Sequence, residues 1–197
     1  MSADIRGNLA LQTANRSEGD LLARSLWLAK AVDYVVTDRA VLVGGTAVNL
    51  HTGSYRPTDI DMCAYLDESD RDSLVQLGLR HTQGDHFACE FDDGELWLVE
   101  FPDTQVDGDI STIHLSADDH LFVISRESLI VDRLLQATDQ TAVTFDEAVR
   151  LCVAVYAEAD WDRVGHEIGN RDLVEPGLGL ERVFARVIDE VRSLAEK

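Results

Sequence analysis

The sequence predicts an α+β fold, in which one helix precedes a mostly β middle part and a set of helices completes the chain. Three observations predict it. Apolar residues recur at helical spacing near the N-terminus, short apolar runs bounded by turn residues occupy the middle, and helical periodicity returns after residue 124. With 197 residues, the chain is long enough to bury a core without disulfides.

The first predicted elements form a helix, a strand and a short second helix. Residues 18–38 carry apolar side chains at helical spacing, and residues 40–43 form a β-branched run. That run ends in Gly44-Gly45, which predicts a buried strand entering a tight turn. A short helix is predicted over 46–51, and Gly53 ends it.

The middle of the chain is predicted to be mostly β. The turn residues Asp92-Asp93-Gly94 indicate that the two runs on either side of them form a hairpin. A charged segment after the first of the middle strands is predicted to be a helix, over 67–78. The predicted strands cover residues 60–66, 86–91, 96–101, 110–115 and 120–124.

The final third of the chain is predicted to be helical. Ser125 caps a helix that reaches about residue 137, and Thr144 with Glu147 forms a capping-box pattern for a helix over 144–157. Asp160 caps a helix over 160–168. A long apolar stripe after Pro176-Gly177 predicts the last helix.

These elements divide the chain into three predicted parts. Residues 1–17 are expected to be a loose N-terminal leader, in which Leu9 and Leu11 could pack locally. Residues 18–124 form the predicted catalytic core, and residues 125–197 form a helical part packed on it.

The composition is strongly acidic. There are 37 Asp and Glu residues against 17 Lys and Arg, which gives a formal net charge of −20, and Lys30 and Lys197 are the only lysines. One explanation is a basic partner, and the other is adaptation to high salt. Because the acids are spread along the whole chain, the pattern favours high salt. The charge also argues against general binding to DNA or other nucleic-acid backbones.

The cysteines and the apolar runs indicate a cytoplasmic protein. Cys63, Cys89 and Cys152 lie far apart among apolar neighbours, and no Cys/His cluster with zinc-ligand spacing occurs. An odd number of such thiols fits a reducing compartment. No signal-peptide core and no run of membrane-spanning length occurs, so no membrane association is expected.

The segment from 41 to 66 contains the candidate phosphate-binding residues. A strand that ends in Gly44-Gly45 and opens a helix brings bare backbone N–H groups together, and such groups bind phosphates. Thr46 adds a hydroxyl at the same place, although a helix N-cap explains it equally well. For the two glycines the alternative is an ordinary strand-to-helix turn.

Three carboxylates predict a metal site beside this turn. Asp59 and Asp61 alternate on a strand and therefore point to one face, where their mutual repulsion is relieved by a hard divalent cation such as Mg²⁺. Glu100 lies in an otherwise apolar segment and is the best third acid. The alternatives are a solvated strand edge for the aspartates and a structural ion pair with an arginine for Glu100.

A phosphate-binding turn beside a carboxylate metal site is typical of phosphoryl and nucleotidyl transfer. The stretch resembles the DNA polymerase β-type nucleotidyltransferases, whose signature is Gly-Gly or Gly-Ser followed by Asp-x-Asp. It is most similar to small stand-alone members related to the abortive-infection nucleotidyltransferases of the AbiEii kind. The matching blocks span residues 41–134: Arg56-Pro57-Thr58-Asp59-Ile60-Asp61, Val99-Glu100-Phe101-Pro102 with Gly108-Asp109, and Ser125 to Leu134. The third acid is Glu here, and the Gly-to-Asp spacer is long.

The resemblance implies a mixed β-sheet flanked by helices and an enzyme that moves a nucleoside monophosphate from an NTP to an acceptor hydroxyl. Mg²⁺ or Mn²⁺ is the implied cofactor, held by Asp59, Asp61 and Glu100, with Glu100 alternatively acting as base. Arg56 is placed at phosphate or beside Asp59, and Arg133 at phosphate or in an ion pair with an acid.

The acceptor and the biological role are left open. The acceptor is RNA, protein or a small molecule, and the abortive-infection relatives imply a toxin or defence role with a cognate antitoxin. The alternative function is a non-catalytic module that keeps the fold and binds nucleotide or a partner.

Overall fold

The computed structural model describes residues 2–54, 56–139, 141–175 and 177–195. The chain forms two compact units, Met1–Ile124 and Ser125–Lys197. Among the described residues, none of the helices combines the length and the apolar character that crossing a bilayer requires.

The first unit contains four helices and seven strands in its described residues. The helices are α1 (Ala3–Arg16), α2 (Leu21–Val35), α3 (Gly44–Thr52) and α4 (Glu68–Gln76). The strands are β1 (Val41–Val43), β2 (Asp59–Cys63), β3 (Arg80–Gln83), β4 (His86–Glu90), β5 (Leu96–Glu100), β6 (Ile110–His114) and β7 (His120–Ile124).

All seven strands form one mixed sheet in the order β3-β4-β5-β2-β1-β7-β6. The β2–β5 and β1–β7 pairs are parallel, and the other pairs are antiparallel. The predicted mixed α+β fold is therefore confirmed. Strand β3 was not predicted, because its four residues are polar and exposed and show no apolar alternation.

The fully buried strand residues of the first unit project to one face of the sheet, which we call the closed face. Ile60 and Met62 of β2 and Val99 of β5 are fully buried there, with Trp97 only 3% exposed. Helix α2 contacts β2 and β7 and buries an apolar stripe that includes Leu28 and Val32. The alternating burial along β2 follows from the two-residue period of a strand.

The prediction of a loose leader over 1–17 is wrong, because helix α1 occupies most of it and packs along α2. The buried stripe of α1 is Gly7, Ala10 and Ala14, and Ser2 caps the helix. A β-carbon at Gly7 would lie 2.9 Å from Val35 Cγ1, so the two helices approach closely. Small residues thus form this contact, whereas the prediction relied on large apolar ones.

The second unit is helical throughout its described regular structure. Its helices are α5 (Arg126–Gln136), α6 (Ala142–Val155), α7 (Trp161–Val174) and α8 (Leu180–Ala195), with a 3₁₀ turn over Ala137–Asp139. Ser125 and Asp160 cap α5 and α7 as predicted. The predicted cap at Thr144 is wrong, because Thr141 accepts the Thr144 N–H and α6 begins earlier. Pro176 of the predicted break lies outside the described residues.

Candidate active site

The glycine turn is a direct junction between β1 and α3. Gly44 is the first residue of α3 and has φ +61°, a conformation that L side chains rarely adopt. A β-carbon built on Gly44 would lie 1.8 Å from Asp61 Oδ2 and 2.6 Å from Asp61 Cγ. Two features therefore require glycine at position 44: its positive φ, and the approach of the Asp61 carboxylate to the start of the helix.

The next two residues of the turn lie inside the fold. Gly45 is buried, and Thr46 is fully buried with its Oγ1 donating to the carbonyl oxygen of Asp59 at 3.0 Å. The N-cap of α3 is Val43, which supplies no side-chain hydrogen bond. The N-cap explanation for Thr46 is therefore wrong, and its hydroxyl instead links α3 to the start of β2.

The two aspartates lie on one side of β2. Asp59 and Asp61 are half-buried, whereas Ile60 and Met62 between and beyond them are fully buried on the closed face. Asp61 pairs with Val43 across the β1–β2 ladder. We call the opposite side of β2 and β5 the open face; it carries Asp59, Asp61, Leu98 and Glu100.

Glu100 lies on the strand beside the aspartates. The parallel β2–β5 register pairs Asp61 with Glu100 and Asp59 with Leu98, and paired residues of neighbouring strands project to the same face. The Glu100 side chain is 28% exposed. The predicted neighbourhood of Asp59, Asp61 and Glu100 on one face is thus present in the sheet.

Glu100 contacts a histidine and not an arginine. His86 Nδ1 lies 3.3 Å from Glu100 Oε1, and His86 pairs with Glu100 in the antiparallel β4–β5 ladder. The contact is an ion pair when the imidazole carries a proton on both nitrogens. Strand β4 lies on the opposite side of β5 from β2, so the His86 contact is on the side away from Asp61.

The three carboxylates share a face, but they do not form a closed three-ligand cluster. Within the described ranges, no three His, Cys, Asp or Glu side chains converge as a metal site would require. We expected the carboxylates of Asp59, Asp61 and Glu100 to surround one point. The Glu100 carboxylate instead lies beside His86 of the neighbouring strand.

The two arginines predicted to bind nucleotide lie in different units. Arg56 is exposed and lies just before β2. It lines a cavity of about 190 Å³ together with Pro57, Thr58 and residues 95–97 at the start of β5. Arg133 lies on α5 in the second unit, where Nη1 donates to Gln136 Oε1 at 2.7 Å. Their roles toward a nucleotide stay predictions.

His86 is the residue of this site that sequence reasoning missed. No histidine was assigned a role, because none lies at metal-ligand spacing from another histidine or cysteine. A signal was nevertheless present. The predicted turn is centred on Asp93, and residues equally distant from the centre of a hairpin pair across it, which brings 86 opposite 100.

No protein-family model matches the chain, and no curated protein sequence matches it significantly. Among solved structures, it is similar to an antigenic nucleotidyltransferase-like protein from Paracoccidioides brasiliensis, with a TM-score of 0.55 and 15% identity over 82% of this chain and 92% of that one. The antibiotic-resistance factor ANT(2'')-Ia matches with a TM-score of 0.47 and 17% identity, over 87% of this chain and 99% of that one. The first likeness shows that the chain has the fold of nucleotidyltransferase-like proteins.

Proposed function

We propose that the protein is a nucleotidyltransferase that moves a nucleoside monophosphate from an NTP to an acceptor hydroxyl with the help of a divalent cation. The observation that carries this proposal is the placement of the Asp61 carboxylate against Gly44, at the first residue of α3. A helix start binds phosphate, and a carboxylate at the same point repels phosphate unless a cation lies between them. A divalent cation would let a phosphate and this carboxylate share the start of the helix, so the placement supports a metal–triphosphate site.

The donor chemistry fits Mg²⁺ or Mn²⁺. Asp59 and Asp61 supply hard carboxylate oxygens on one face of β2 and would hold the ion, with Glu100 on β5 as the third acid of the site. When bound, the ion neutralises charge on the triphosphate and polarises the α-phosphate.

The start of α3 would bind the β and γ phosphates. Val43 caps this helix without a side-chain hydrogen bond, and the first N–H groups of the helix, at Gly44, Gly45 and Thr46, are the proposed phosphate donors. Arg56, which precedes β2 in the same unit, is the proposed additional contact to the nucleotide.

In the reaction, the oxygen of the acceptor hydroxyl forms a bond to the α-phosphorus, and the P–O bond between the α and β phosphates breaks. Pyrophosphate leaves with that electron pair, and the hydroxyl proton passes to a carboxylate and then to solvent. The chain's contribution is positioning and charge stabilisation.

For the acceptor we propose a protein side chain or a small molecule ahead of RNA. With a net charge of −20, the chain repels a long polyanion, and RNA binding relies on Lys and Arg. A toxin role with a cognate antitoxin, implied by the AbiEii resemblance, is part of this proposal. A small neighbouring gene that encodes a DNA-binding helix pattern would support it.

The test is transfer of label from an α-³²P NTP to cellular protein, RNA and small-molecule fractions by wild type and Asp61→Asn. Asparagine keeps the shape of the side chain and removes one charge. We expect at least a hundredfold loss of transfer, about 2.7 kcal/mol of activation free energy. Equal labelling by the two proteins would exclude Asp61 as a metal ligand. Metal-dependent NTP binding without transfer in any fraction would favour the non-catalytic alternative.

A further inference from the structure

The open face gives Glu100 two different neighbours, one on each side of its strand. Asp61 is its partner on β2, and His86 is its partner on β4. These three residues therefore form one row across three adjacent strands, with Glu100 in the middle. Glu100 could bind the metal together with Asp61, or it could be positioned by His86 for another role.

The contacts favour the histidine. Glu100 Oε1 lies 3.3 Å from His86 Nδ1, and the described carboxylates of Asp59, Asp61 and Glu100 do not close around one point. A glutamate side chain has three rotatable torsions, and contact with a neighbour restricts them. The imidazole on β4 lies beside Oε1, and among the described residues no recorded contact engages Oε2.

The aspartates differ from Glu100 in how they are held. Asp61 lies against the α-carbon of Gly44, and its short side chain has little freedom there. Asp59 has its backbone carbonyl fixed by the Thr46 hydroxyl. Both aspartates thus lie at the junction of β1, α3 and β2, whereas the described side-chain contact of Glu100 is with β4.

We propose that His86 is a positioning residue that holds Glu100 toward the acceptor, so that Asp59 and Asp61 bind the metal without Glu100. Glu100 Oε2 receives the hydrogen bond of the acceptor hydroxyl before it attacks the α-phosphorus. This inference rests on the proposed function and assigns Glu100 one of the two roles that the sequence left open. It also gives a reason for glutamate at the third position, since the longer side chain reaches both His86 and the acceptor.

Metal binding separates the two roles of Glu100. Mn²⁺ affinity is measured by electron paramagnetic resonance in the presence of an α,β-methylene NTP analogue. We expect Asp61→Asn to weaken it at least tenfold, and Glu100→Gln and His86→Ala to stay within about twofold of wild type. A loss in Glu100→Gln as large as in Asp61→Asn would make Glu100 a metal ligand and overturn the inference.

Transfer of label from the α-³²P NTP tests the histidine. We expect Glu100→Gln to lose transfer about a hundredfold or more, and His86→Ala about tenfold. His86→Asn should restore transfer to within about threefold, because its amide nitrogen lies as many bonds from the backbone as Nδ1. In the Glu100→Gln background, His86→Ala should add no further loss. His114→Ala, on the exposed edge strand β6, is the matched control and should transfer normally.

The outcomes distinguish the two proposals. Wild-type transfer by His86→Ala, failure of His86→Asn to restore it, or an additional loss in the Glu100→Gln background would each overturn the role of His86 while the proposed function stands. A wild-type protein that neither binds Mn²⁺ with the analogue nor transfers label would overturn the proposed function itself, and this inference with it.

Discussion

The closed and open faces of the sheet are built from alternate residues of the same strands, and they differ in what their side chains contact. On β2, Ile60 and Met62 are fully buried in the core, whereas Asp59 and Asp61 are half-buried beside the start of α3. On β5, Val99 is buried and Glu100 contacts His86. The comparison indicates that one face supports the fold and the other is available for chemistry, so substitutions on the two faces should affect different measurements.

The largest expected effect on stability is on the closed face. Met62→Ala removes a fully buried side chain from the centre of the sheet and leaves a cavity, so we expect the free energy of unfolding to fall by about 2–5 kcal/mol. Denaturant unfolding measures it. On the open face, Asp61→Asn keeps the side-chain volume and should lower the free energy of unfolding by much less. A loss of similar size in Asp61→Asn would contradict the division of roles between the two faces.

The second prediction concerns the glycine at the junction of the two faces. Gly44→Ala places a β-carbon on Asp61 Oδ2 and also forces alanine into φ +61°, which alone costs about 1–2 kcal/mol. Gly53→Ala is the matched control, because Gly53 has φ +62° and no atom within 4 Å of its added β-carbon. We therefore expect both variants to lose stability and only Gly44→Ala to lose Mg²⁺-dependent NTP binding. Equal NTP binding by the two would show that the approach of Asp61 to Gly44 is not part of the site.

The smallest expected effect concerns the net charge of the whole chain and not either face of the sheet. If the net charge of −20 is an adaptation to high salt, screening should stabilise the fold, and the melting temperature should rise by several degrees from low to multimolar KCl. Sucrose is the control, because it is excluded from protein surfaces without screening charge. A flat or falling melting temperature in KCl would favour a basic partner as the reason for the acidity.

The sequence predicted the fold best where periodicity or turn chemistry was strong. The alternation along β2, the hairpin turn at 92–94 and the caps Ser125 and Asp160 were all visible. Helix α1 was missed because its buried stripe consists of glycine and alanine, and β3 because it has no buried face. Whether α1 and β3 form depends on how closely neighbouring helices and strands pack, and the amino-acid pattern alone does not specify that packing.

The sequence predicted which residues belong to the candidate site, but it did not predict their contacts. The spacing placed Asp59 and Asp61 on one face, and the structure has them there. The approach of Asp61 to Gly44 and the contact between His86 and Glu100 depend on strand order and register, in which residues far apart in sequence become neighbours. Only the pair across the hairpin had a local signal, because a hairpin turn sets its own register.

The central claim is that Asp59 and Asp61 hold a divalent cation together with an NTP. Its most direct test is the melting temperature with and without Mg²⁺ plus a non-hydrolysable NTP analogue. At about 100 times the Kd, bound ligand adds about 2.7 kcal/mol of stability, which corresponds to about 5–10 °C for a chain of this length. We predict that shift in wild type and in Met62→Ala, whose starting melting temperature is lower. Asp61→Asn should lose the shift while remaining folded without metal. An undiminished shift in Asp61→Asn would contradict the account.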